Sequence, residues 1–317
     1  MVERGEGWRC ASAMERKISL GDLLRARLSG SDAKQDGMHL AVVFESGGMR
    51  NISSGGVVSE FQKLGLAGAF DSFHGSSSGA CVALYFAAGR AEDGVKVLIE
   101  DINNRDFINI LDLFADEAVV NTRKIVRDVI GMRRNPEADA KVLSSLYVVA
   151  TSLSSGLPVR LFGFQGHSDL LDAIEGTMKI PNIRRRGFHI GRVAFVDGGI
   201  SAPIPLFSAI EAGATHVLVI CNRKRSEYRP KPVKAIAEAL LLLLTCGVTT
   251  AREYLRAQRR FRFEGAPPGV DVEWVLIPED SPAFSVIEIR EDRLRSRLQI
   301  GKSIAREFLV KCGLAPI

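Results

Sequence analysis

Short apolar runs alternate with glycine-rich turns and helix-like segments from His39 onward. Residues 39–44 form a near-continuous apolar run, the pattern of a strand buried on both faces. A glycine-rich turn over 45–56 leads into a helix predicted over 57–64. A second strand follows over 70–74, then a tight turn over 75–79 and an apolar helix over 80–88. This order of strand, glycine turn and helix, met twice, predicts an α/β sheet with crossover connections. Farther on, strands are predicted over 147–151, 159–164, 193–196, 216–221 and 272–277, with helices over 169–178, 205–212 and 292–311. Residues 89–136 read as helical and more polar. The segment 235–262 reads as one long helical region broken near Gly247. Its apolar first half, 235–246, is interrupted by Glu238 and too short to span a bilayer, so it is expected to be a buried helix. Residues 1–37 are polar and mixed, with one short helix over 19–27. They are expected to be an arm, poorly ordered or docked on the surface, ahead of a single domain over 38–317.

At 317 residues, with 46% apolar and 25% charged positions, the composition is that of an ordinary globular protein large enough for a substantial core. The net charge of +5 is mild for this size. It suits anionic lipid headgroups as well as any other partner, and nucleic acid is not expected. Five cysteines, Cys10, Cys81, Cys221, Cys246 and Cys312, are scattered without metal-binding spacing and point to a reducing compartment. Cys81, in an apolar run, reads as a small buried hydrophobe. The first 20 residues carry alternating charges and no apolar core of a signal peptide, so a cytoplasmic protein, at most peripheral to a membrane surface, is expected. Asp112, Asp116 and Glu117 show no ordered ligand spacing, and no metal or other cofactor is expected.

Three short motifs carry chemistry. Gly75-Ser76-Ser77-Ser78-Gly79 fits G-x-S-x-G, in which the middle serine sits on a strained strand-to-helix turn with its hydroxyl exposed at a helix N-terminus. The competing reading is a serine-rich helix cap. Gly47 and Gly48, with Met49 and Arg50, follow the first strand; consecutive glycines can turn backbone N–H groups toward one anion. The spacing gives neither a dinucleotide fingerprint nor a P-loop. Asp197-Gly198-Gly199 ends the strand over 193–196, placing a carboxylate at a strand's C-terminal end, where α/β proteins bind ligands. Only His216 follows Asp197, at the wrong end of its strand for a Ser-Asp-His triad, so a serine–aspartate dyad fits better. Arginines over 252–262 and Arg184, Arg185 and Arg186 form basic patches, read first as solvated faces.

Taken in order, these motifs resemble the patatin-like phospholipase family, especially its bacterial members. That family opens on a strand and G-G-G-x-R-G, continues with a G-x-S-x-G elbow and closes with D-G-G or D-G-A. The likeness extends to the run over 147–158, the Ile180-Pro181 step and Pro205 after the acidic motif, and spans about 39–310. It implies a three-layer α/β/α sandwich with a mostly parallel central sheet and no histidine in the catalytic dyad. It implies Ser77 as nucleophile, Asp197 as base, and Gly47 and Gly48 in the oxyanion loop with Arg50. The implied substrate is a lipid or fatty-acyl ester. Acyl transfer or thioester cleavage would use the same intermediate, and a non-catalytic lipid-binding module is the third alternative. Ser46 and Asn51 depart from the family's glycines. Asparagine tolerates left-handed backbone angles, which is the expected means by which the loop survives at position 51.

Overall fold

The computed structural model describes residues 18–30, 36–104, 106–107, 121–131, 142–181, 187–229, 231–260 and 268–314. Its centre is an eight-stranded mixed sheet of β1 (Leu40–Phe44), β2 (Ser72–Ser76), β3 (Leu146–Ser152), β4 (Pro158–Leu161), β5 (Phe188–Ile190), β6 (Val193–Val196), β7 (His216–Lys224) and β8 (Asp271–Ile277). The order is β5-β6-β3-β2-β1-β7-β8, with β4 also paired to β3. The pairings from β3 through β8 are parallel, and those among β3, β4, β5 and β6 are antiparallel.

The near-continuous apolar runs follow from burial on two faces. Along β1, Leu40, Val42 and Phe44 enter the main core, while Ala41 and Val43 enter a smaller cluster on the other face. On β7, Leu218 and Ile220 go one way and Val217 and Val219 the other. The main face is covered by α1 (Leu20–Ser29), α2 (Ile52–Lys63), α3 (Ser78–Ala87), α4 (Ala91–Lys96), α5 (His167–Met178) and α9 (Glu291–Lys311). Phe61 of α2 meets Phe86 of α3 and Phe308 of α9, with ring centroids 6.4 and 5.6 Å apart. The other face is covered by the return segment around Ile204 and by α6 (Leu206–Glu211). A helical hairpin of α7 (Pro232–Cys246) and α8 (Val248–Arg260) turns at Gly247, whose φ of 94° lies in the left-handed region.

Two expectations change. The predicted helix over 19–27 is α1, and Leu20, Leu23 and Leu24 on it are buried in the main core, while residues 1–17 and 31–35 of the expected arm lie outside the described residues. Arg27 is buried with them, donating to Asp36 and Asp71 and to the carbonyls of Met38 and Ala69. The apolar helix α7, expected to be buried, is mostly exposed. It touches its neighbours through a narrow row including Ala239, Leu242 and Thr245, while Leu240 and Leu244 face outward. The triple arginine at 184–186 and most of the polar segment 103–136 lie outside the described residues.

Arg27→Ala is expected to leave Asp36 and Asp71 without their cation and to destabilise the fold by about 3–5 kcal/mol. Urea denaturation of the variant and the parent measures the difference.

Candidate active site

The elbow is built by three local constraints. β2 runs without a break to Ser76, and α3 starts at Ser78. Between them Ser77 has φ 52° and ψ −134°, making it the positive-φ residue other than glycine among those described. Such a backbone is costly for a residue with a side chain and persists only when its surroundings hold it. The Ser77 N–H is held by Thr177 Oγ1 at 2.8 Å, and the Thr177 hydroxyl in turn donates to the carbonyl of Val149. Gly75 and Gly79 flank the turn where it packs on α3 and on the end of β1.

The serine-cap reading does not describe Ser77, whose side chain makes no capping bond to α3. Its hydroxyl donates to Asp197 Oδ2 at 2.6 Å. The neighbouring serines are turned elsewhere. Ser76 Oγ donates to the carbonyl of Ala202, and Ser78 Oγ accepts from Asn51 Nδ2.

Asp197 reaches Ser77 by a route different from the one its motif suggests. Val148 and Val149 of β3 pair with β2 on one edge and β4 on the other. Thr151 pairs with β4 and with β6, so β6 lies on the β2 edge of β3, running the opposite way. The ends of β2 and β6 therefore meet head-on. The carboxylate is not carried there on the shared C-terminal edge of parallel strands. Gly198 is required at this meeting, because a Cβ there would lie 2.0 Å from the Val149 carbonyl oxygen. The Gly199 N–H donates to Asp197 Oδ1 at 2.7 Å, and Thr151 Oγ1 donates to the Asp197 carbonyl at 2.8 Å. Desolvation raises the Asp197 carboxyl from its usual range to about 6, against the lowering influence of the Ser77 and Gly199 hydrogen bonds.

Among the described residues no histidine is seen hydrogen-bonded to Ser77 or Asp197. His74 lies between Ser72 and Ser208, and burial pushes its pKa well below the usual value. His216 contacts Thr215 and the carbonyl of Ile18, and His39 contacts Ser72.

The glycine-rich loop follows β1. Gly48 has φ 57°, and a Cβ on it would lie 2.4 Å from the Val286 carbonyl oxygen. Among the described residues no acceptor takes the N–H of Gly47 or Gly48, whereas the Met49 N–H donates to Val286 at 2.9 Å. Met49 is thus committed through its N–H, and its side chain lines the neighbouring cavity. Arg50 Nε donates to the carbonyl of Phe284 at 3.1 Å, tying the loop to the segment before α9.

Asn51 does not use a left-handed conformation. Its φ is −67°, and its role lies in its side chain. Fully buried, it donates to the Glu45 carbonyl and to Ser78 Oγ, and accepts from Asn222 Nδ2. Asn222, at the end of β7, also donates to the Ser46 carbonyl. Buried Glu45 accepts from the Asn222 N–H, Arg223 and the Tyr228 hydroxyl. Thr177, Asn222 and Glu45 were not singled out by sequence reasoning. The one signal available was that Glu45 and Asn222 immediately follow adjacent predicted strands, at the sheet edge where ligands bind.

Beside the elbow, on the main-core side, lies an apolar cavity. It runs from Gly48, Ser78 and Met178 to Val97, Ile102 and Ile130, and holds about 720 Å³ of empty space including its open mouth. Cys81 is on its wall, with a thiol that burial raises to about 12. Among the described residues no cluster of three or more His, Cys, Asp or Glu side chains is placed to hold a metal ion.

Gly48→Ala is expected to force the loop away from Val286 and out of its left-handed turn, costing about 1–3 kcal/mol of stability. Paired denaturation curves measure this.

Comparison with known proteins agrees with the motif order. A family model described as patatin-like phospholipase matches residues 42–210, a span from β1 through the elbow and Asp197 to α6. A curated relative, the uncharacterized protein YjjU of Escherichia coli (strain K12), is 26% identical over 287 residues, covering 86% of this chain and 78% of YjjU. A crystal structure of VipD from Legionella pneumophila aligns with 84% of this chain and 67% of its own at 12% identity. The TM-score of this alignment is 0.34. With the family match spanning more than half of its length, the chain belongs to the patatin-like phospholipase family.

Proposed function

We propose that the protein hydrolyses carboxylic esters of lipids through an acyl intermediate on Ser77, with Asp197 as general base. The observation that carries this reading is the 2.6 Å hydrogen bond from Ser77 Oγ to Asp197 Oδ2. Asp197 takes the hydroxyl proton as Ser77 Oγ attacks the ester carbonyl. The N–H groups of Gly47 and Gly48, with the N-terminus of α3, stabilise the oxyanion. Collapse expels the alcohol, which receives the proton from Asp197 and leaves an acyl ester on Ser77. Water, deprotonated by Asp197, then releases the fatty acid and restores the serine.

A carboxyl raised to about 6 suits this task. It is a stronger base than an ordinary aspartate and still ionised at neutral pH. The cavity supports the lipid half of the reading. Its walls, from Val58 and Val82 to Leu98 and Ile125, offer hydrocarbon contact, and its near end at Gly48 and Ser78 is next to the nucleophile.

With a soluble short-chain ester, Ser77→Ala and Asp197→Asn are each expected to reduce kcat by roughly 10³–10⁶-fold while leaving the protein folded. Turnover at wild-type rates in either variant overturns the dyad. Because the base works only when ionised, kcat/KM is expected to be level above about pH 6 and to fall about tenfold per unit below it. A pH–rate profile whose acid limb lies at an ordinary aspartate value, near 4, contradicts the enclosed carboxylate.

A further inference from the structure

The outer face of α7 is the least explained surface of the protein. Val233, Ile236, Leu240 and Leu244 follow one another along the helix and are 83%, 56%, 57% and 70% exposed. At 100° per residue, and with exposed Leu241 and Leu243 at its margins, the apolar arc covers about 160° of the helix. The opposite side packs on α8 and Ile200. A surface helix of a globular protein turns such an arc inward, so the arrangement is inverted.

Charge identifies what covers it. The chain has 42 Lys and Arg against 37 Asp and Glu, and residues 223–262 hold 11 of the former and 3 of the latter. The remainder, 31 basic against 34 acidic, is slightly negative, so the protein's whole positive excess resides in this hairpin and its flanks. Arg229, Lys231 and Lys234 are exposed at the start of the hairpin, and Arg252 is exposed on α8. Glu238 and Glu253 have local partners, Tyr254 and Arg256. An apolar arc with exposed cations at its N-terminal end and on the adjoining α8 matches an anionic lipid surface. A second copy of the same arc would bring like charges together.

We infer that the α7–α8 hairpin is an interfacial anchor that seats its Leu-rich face in an anionic lipid bilayer. Among the described residues no helix is long and apolar enough to cross a membrane, so the mode is insertion parallel to the surface. The anchor is mechanically close to the catalytic candidates. Ile200, in the turn that begins just after Asp197, packs into the hairpin, and Thr250 bonds to the carbonyl of Leu153 after β3. Seating the hairpin therefore holds the Ser77–Asp197 elbow at the lipid interface. This goes beyond the hydrolase reading, and the two are separated by measuring binding on Ser77→Ala and turnover on a soluble ester.

The test is flotation of the full chain carrying Ser77→Ala with phosphatidylglycerol-containing vesicles and with pure phosphatidylcholine vesicles. The anchor predicts binding to the anionic vesicles that weakens in high salt, and at least about tenfold weaker binding to neutral ones. Leu240→Asp combined with Leu244→Asp is expected to reduce anionic-vesicle binding at least about tenfold, since buried leucine contacts are replaced by charge. Arg229→Glu combined with Lys231→Glu is expected to lower it too. In a Ser77 background both pairs should leave soluble-ester turnover unchanged, because all four side chains face solvent. Equal binding by parent and variants overturns the inference. So does absence of vesicle binding together with a dimer in sedimentation that the leucine variant dissociates.

Discussion

The candidate site depends on two strand ends meeting head-on. β2 and β6 occupy the same edge of β3 and run toward each other, so the residue after one and the residue after the other share a small space. That geometry sets Ser77 Oγ 2.6 Å from Asp197 Oδ2. It also demands glycine at 198, for lack of room, and a positive φ at Ser77. The strain at Ser77 is offset by Thr177, which holds its N–H while bonding to β3, so the elbow, β3 and the end of α5 form one unit. The enclosure that holds the carboxylate also raises its pKa, so position and basicity share one origin.

The glycine-rich loop shows a second feature: its flanking groups are bound, while among the described residues the N–H groups of Gly47 and Gly48 meet no acceptor. Ser46 N–H goes to Pro203, Met49 N–H to Val286, and Arg50 to Phe284, leaving Gly47 and Gly48 uncommitted among the described residues. Asn51 and Asn222 supply the cross-links behind the loop, and Glu45 fastens it to Arg223 and Tyr228. The departures from the family's glycines at 46 and 51 are accommodated by this polar network.

The parts of the fold that could be read from the sequence were those written in local pattern. The two-sided strands β1 and β7, the elbow at 75–79 and the break at Gly247 each leave a signature within a few residues. What could not be read was long-range. That β6 pairs antiparallel with β3, and so brings Asp197 in from the opposite direction, depends on register between segments over 40 residues apart. Asn51 was legible as a departure but its side-chain role was not, since its partners at 78 and 222 are distant in the chain. The exposure of α7 was hidden for another reason: a leucine-rich helix has the same composition whether it faces a core or a lipid surface. The short strand β5 carries too few residues to show a period at all.

The proposed roles of Ser77 as nucleophile and Asp197 as its base, without a histidine, are open to covalent labelling. The protein is treated at neutral pH with a fluorophosphonate, and the adduct is located by peptide mass mapping. A single adduct on Ser77 is expected, with Ser76 and Ser78 unmodified, and labelling slowed by orders of magnitude in Asp197→Asn. A folded protein that stays unlabelled, or labelling that proceeds at the same rate without the Asp197 carboxylate, would contradict these roles.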